Sequence, residues 1–185
     1  SAMHVVAARE MKRNGIAMDK LIAVNWLNEV DINNIGPMEA KGIKRGTNVV
    51  GGKNHPLMQQ IAKDLYGKGK GNGDVKNMDD IYYNTGLAMY SAMFEGTRLA
   101  IKQGGWPLTP AKIKAGLESL KDFDANDLLA PLTVTAKDHG GGGKTRIDMW
   151  DGTKWVPQSD WFSDYNDLVW ATVKQYSSAF AKPTK

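Results

Sequence analysis

Two hydrophobic periods alternate along this chain, and the switches between them mark its elements. Residues 4–14 (HVVAAREMKRN) set Val5, Ala8, Met11 and Lys12 at helical spacing, with Gly15 placed as a C′ stop. Residues 21–26 (LIAVNW) form a short apolar run, β-branched in part, which predicts a buried parallel strand. A short helix is expected over 30–35, an extended run over 43–50, and a helix over 55–66 with Pro56 in its first turn, where the missing N–H costs nothing. After a glycine-rich loop at 67–74 (GKGKGNGD), residues 79–104 predict one long helix capped by Asp79 or Asp80. Ile81, Thr85, Ala88, Met89, Ala92, Met93, Leu99 and Ala100 keep mostly to one stripe of it, and the Met89, Met93 and Phe94 group reads as packing. Gly86 and Gly96 each cost this helix about 1 kcal/mol against alanine, so close helix packing is expected there. Thr109-Pro110 caps a further helix through Leu120, residues 132–136 (LTVTA) alternate like a strand, and a last helix is expected over 164–180.

The most specific local signal is the stretch 138–161 (DHGGGGKTRIDMWDGTKWVPQSDW). Asp151-Gly152 stands between two runs rich in hydrophobic residues, which predicts a β-hairpin closed by a type I′ turn. Strands thus follow helices late in the chain, and the class is α/β. The opening helix, glycine and strand make half of a βαβ unit whose first strand is absent, so the chain is expected to be a piece of a larger fold.

Composition narrows the function. The 24 basic and 20 acidic residues are intermixed and leave a net charge of +4, without the clustered stripe that nucleic-acid binding requires. Zero cysteines exclude disulfides and thiolate chemistry. No run of 18 apolar residues is present, and residues 4–14 are amphipathic rather than a signal peptide; Ser1-Ala2-Met3 reads as a cloning scar.

Three motifs compete for chemistry. Gly143-Lys144-Thr145 fits the end of a phosphate-binding P-loop, but Asp138 stands where the first glycine belongs and the loop leads to a strand, not a helix. The better reading is a flexible turn. His139 beside Asp138 offers an acid/base or metal pair, yet His4 and His55 lie far off without ligand spacing, so no metal or cofactor is expected. Trp150, Trp155 and Trp161 cluster at the hairpin, where they cover a sheet edge or stack on a ligand. Asn25 and Trp26 end the predicted parallel strand, and open α/β sheets bind ligands outside the carboxyl ends of their strands. They are the candidate ligand-binding residues.

The stretches AREMKRNGI…LIAVNW, YYNTGLAMYSAMFEGTRLAI, LTPAKIKAGLESL and LTVTAKDHGGGG through SDW together resemble the C-terminal part of the type I periplasmic solute-binding proteins that serve branched-chain amino acid-type ABC importers. The resemblance implies a bilobed α/β fold, incomplete in a chain of this extent. Residues 4–50 then belong to the second lobe, 51–131 are mainly first-lobe helices, and 132–185 return to the second lobe with the hairpin and a terminal helix. It also implies a small-molecule solute, ABC permease subunits as partners, an extracytoplasmic location and no bond-making chemistry. Amino-acid binders of this family carry an acidic residue after the strand corresponding to LIAVNW, to pair with the ligand ammonium. Here Trp26 falls at or beside that position and Glu29 is the nearest carboxylate, which favours an aromatic or other apolar carboxylate. A ligand-sensing module of a receptor or regulator is the alternative, and an enzyme using His139 and Asp138 a third reading. Helices built to cover a missing sheet would also expose an apolar stripe, so self-association is expected.

Overall fold

The structure, a computed structural model, describes residues 2–180. It consists of a sheet module and a helical module joined by two crossing segments. In the sheet module, α1 (Ala2–Arg13) leads to β1 (Ile22–Val24), then α2 (Glu29–Ile35) and β2 (Lys44–Thr47), with the hairpin β3 (Arg146–Trp150) and β4 (Trp155–Pro157) added from late in the chain. The strand order is β1-β2-β3-β4, with β1 parallel to β2 and the remaining pairs antiparallel. Asn28 caps α2 by accepting the Asp31 N–H at 2.8 Å. Leu27, Ile32, Ala40, Ile43 and Trp150 pack with Ala8 of α1 into one buried core on a single face of the sheet.

The expected strand at the start forms, but it is not buried. Ile22 and Val24 remain 66% and 56% exposed, while Ala23 between them packs on the core. The core lies on one face of the sheet, so only alternate residues of β1 meet a covering layer.

The helical module holds α3 (Pro56–Asp64), α4 (Ile81–Gly104) and α5 (Pro110–Leu117). α4 and α5 start as their sequence predicts, with Asp80 accepting the Tyr82 N–H and Thr109 capping α5, while α3 starts at Pro56 with His55 outside it as the cap. Gly96 and Gly116 let α4 and α5 meet backbone to side chain, since a Cβ at Gly96 would press on Leu117 and one at Gly116 on the Gly96 carbonyl. Gly86 has no such neighbour, and close packing does not explain it. Val49, Ala88, Leu128 and Leu129 form the second core.

Residues 48–50 and 128–130 cross between the modules as an antiparallel pair. Val50 N–H donates to Leu128 O and Ala130 N–H to Asn48 O, both at 2.8 Å. Residues 132–136 are not a strand. Leu132 exchanges both backbone hydrogen bonds with Phe123, and the segment then tightens into a turn in which Thr135 and Asp138 bond each other. Alternation predicts a pleat there, but the second partner strand it requires is missing.

The hairpin is present with a different turn from the expected one. Asp151 N–H bonds Lys154 O at 3.1 Å across a four-residue loop, and of the two central residues only Gly152 takes a positive φ, +110°. The Asp151 carboxylate closes the loop instead, accepting the Thr153 and Lys154 N–H groups at 2.8 and 2.9 Å. α6 (Asn166–Phe180) follows, with Leu168, Val169, Val173 and Tyr176 exposed. Ala2 and Met3 belong to α1, and Ser1 lies outside the described residues.

Candidate functional site

β1 delivers Asn25 and Trp26 at its carboxyl end, where the chain turns toward α2. Leu27, next in sequence, is fully buried and anchors the turn, leaving Trp26 62% exposed above it. Asn25 is oriented by its amide, which donates to Asn48 Oδ1 at 3.3 Å. Asn48 opens the first crossing segment and also lines an apolar hollow of about 350 Å³ walled by Ala88, Met89, Met93 and Leu129. A half-oriented amide and an unpacked indole thus stand beside the point where the two modules connect. Neither Asn25 nor Trp26 lines one of the main hollows of the described residues.

A hollow of about 770 Å³ lies on another side of the same connection. Its walls include Glu29 of α2, residues 51–55, Asp79, Arg146 and Trp155. Behind them Arg45 is completely buried, its guanidinium lying 3.8 Å from the Trp155 ring centroid and donating to Leu27 O at 2.7 Å. Glu29 faces it with Oε1 3.7 Å from Nη2, too long for a hydrogen bond. Burial raises the Glu29 carboxyl above its ordinary range, outweighing the attraction of Arg45 and the Ile81 amide. Burial likewise lowers the Arg45 guanidinium to about 10, against the opposing pull of Glu29 and Asp148. Asp148 pairs across the strands with Arg45 and is itself held by Arg146 at 2.7 Å.

Sequence patterning misses this buried charge group. Arg45 and Asp148 sit in ordinary-looking polar and mixed runs. Only the register, with Arg45 directly opposite Asp148 on the covered face, makes them inward residues.

The hairpin tryptophans pack at the end of the sheet, and Trp150 and Trp155 also line the 770 Å³ hollow. Trp150 and Trp155 meet edge to face at 5.5 Å, Trp150 donates to Pro37 O at 2.8 Å, and Trp161 packs under Arg146. Asp138 and His139 do not form a pair. Asp138 Oδ1 accepts the Gly140 N–H at 2.7 Å, while His139 Nε2 turns to Glu118 Oε1 at 2.8 Å. The glycine run leads through Thr145, bridged to Phe162, into β3 and not into a helix as a P-loop would. Among the described residues there is no group of three or more His, Cys, Asp or Glu placed to hold a metal, and no helix is long and apolar enough to cross a membrane.

No family model and no curated protein matches the chain. Solved structures do. One described as an ABC transporter permease from the Pseudomonas fluorescens group superposes with a TM-score of 0.84 at 29% identity, over 96% of this chain and 45% of its own. A branched-chain amino acid ABC transporter protein from Thermus thermophilus with bound valine gives a TM-score of 0.66 at 16% identity, over 87% of this chain and 43% of its own. A possible leucine/isoleucine/valine-binding protein from Rhodopirellula baltica gives 0.54 at 18% identity, over 82% and 38%. The chain therefore spans less than half the length of the structures it matches. Over that span it has the type I periplasmic binding protein fold, as the sequence resemblance implies.

Proposed function

We propose that the polypeptide carrying this chain captures a small organic solute outside the cytoplasmic membrane and delivers it to an ABC permease. The observation that supports this most is the exposed Trp26 at the carboxyl end of β1, beside the crossing segments, in a fold shared with amino-acid transport proteins. Residues 4–50 and 132–185 would form one lobe and residues 51–131 contribute helices to the other. The two separate cores, one around Ile32 and Ile43 and one around Leu128, support that division except at its joints, where Val49 and Leu132 pack into the second core. Solute bridging the lobes would shift the open–closed equilibrium, and the permease would read the closed form. Asn25 would supply a hydrogen bond and Trp26 an aromatic wall.

Glu29 supports a reading of the solute class. This nearest carboxylate is committed to the Ile81 amide at 2.8 Å and faces Arg45, so it is not free to receive a ligand ammonium. An aromatic or other apolar carboxylate fits better than an amino acid. Calorimetric titration of the product of the whole reading frame distinguishes them: an aromatic carboxylate such as benzoate binds more tightly than leucine. Micromolar leucine binding overturns the assignment of class.

A further inference from the structure

The amino end of α4 presents N–H groups that have no partner within the helix. Asp80 accepts one, from Tyr82, at 2.7 Å. The Ile81 N–H goes elsewhere, to Glu29 Oε2 at 2.8 Å, across 52 positions of sequence. Glu29 belongs to α2 and hence to the sheet module, so this contact ties the two modules through one side chain. The rest of the α4 start is stitched to the crossing segment. Asn84, fully buried, donates to Val50 O and Gly52 O at 2.7 and 3.1 Å, and Asp79 accepts from the Lys53 backbone and ammonium.

Glu29 is held in place from behind. Arg45 cannot move freely, being buried, stacked on Trp155 and bonded to Leu27 O. Gly51 closes over both groups, and a Cβ there would be driven against the Arg45 guanidinium and the Glu29 carboxylate. The contact therefore has a fixed side, Arg45 and Trp155, and a releasable side, the first turn of α4. Glu29, Gly51, Asp79 and Trp155 also line the 770 Å³ hollow, so the same contact sets how far its walls stand apart.

We infer that Glu29 is a positioning residue that latches the amino end of α4 to the sheet module. The inference concerns the unliganded chain, so it stands or falls apart from the solute reading.

Hydrogen exchange read by mass spectrometry, without any solute, tests it on the wild type and three variants. Glu29→Ala is expected to speed exchange at residues 81–84 at least tenfold while the hairpin amides of β3 and β4 keep their protection. Glu29→Gln retains an acceptor for the Ile81 N–H and is expected to stay within threefold of wild type. Gly51→Ala, which displaces the pair without touching either charge, is expected to resemble Glu29→Ala and carries the test if that variant does not fold. Unchanged protection at 81–84 in Gly51→Ala, equal loss in the alanine and glutamine variants, or acceleration shared equally by the hairpin would each overturn the latch.

Discussion

The sheet module and the helical module treat their apolar surface in opposite ways. Against one face of the sheet, α1 and α2 close a core in which Leu27, Ile43 and Ile32 retain no more than 1% exposure. In the helical module α4 and α5 pack tightly on each other, yet α4 turns Met89, Met93 and Phe94 outward at 63%, 55% and 71% exposure. These are the residues whose spacing reads as packing. Two apolar hollows, of about 350 and 640 Å³, lie along that face and are lined by Ala92, Met93, Ile113 and Leu132 among others. Periodicity reports which face of a helix is apolar; it says nothing of whether a partner layer lies within the same chain.

The largest effects fall at the joint between the modules. Glu29→Ala leaves Arg45 buried without its nearest counter-charge, and urea denaturation should show a loss of about 3 kcal/mol. Arg45→Met with Glu29→Gln should recover most of that loss, because it removes both charges together.

Within the helical module the two glycine classes should separate. Gly116→Ala drives a Cβ onto the Gly96 carbonyl and is expected to cost about 1–3 kcal/mol. Gly86→Ala meets nothing and should stabilise by up to about 1 kcal/mol, since the helix gains propensity without strain. Equal effects at both positions would show that the α4–α5 contact is looser than its geometry.

The uncovered α4 face predicts self-association of the chain. Light scattering at tens of micromolar should give a mass above the monomer, and Met93→Lys should lower it while leaving the thermal midpoint nearly unchanged. A clean wild-type monomer contradicts this.

A smaller effect concerns pH. Burial raises the folded carboxyl of Glu29 above its unfolded value, so the folded state binds more protons through that range. Its contribution to stability is fully present below the unfolded value of 4.5 and is lost as pH rises through the folded one. Wild type should therefore lose stability relative to Glu29→Gln as pH rises above 4.5. A difference that grows in favour of wild type over the same range would mean that Arg45, not burial, governs this carboxyl.

Much of the secondary structure was legible because it is encoded locally. Asp80, Thr109-Pro110 and His55-Pro56 start helices by capping chemistry that acts within three residues. Asp151-Gly152 marks the hairpin, although the carboxylate of Asp151 rather than a pair of positive φ angles closes it. What escaped is non-local. Residues 132–136 have a strand's alternation, but Leu132 finds only Phe123 to pair with. The run 21–26 is apolar on both faces, yet only Leu21 and Ala23 of it meet the core. Glu29 reads as an ordinary first-turn acid of α2, and nothing near it in sequence points to Ile81. Asn25 and Trp26 were reached by the strand-end rule alone, and they stand as a proposal.

The fluorescence of Trp26 tests the solute reading most directly. In the product of the whole reading frame, acrylamide quenching resolved against Trp26→Phe should show an indole that is accessible without solute and shielded when an aromatic carboxylate is added. Solute binding that leaves Trp26 as accessible as before, or that is undiminished in Trp26→Ala, would contradict the account.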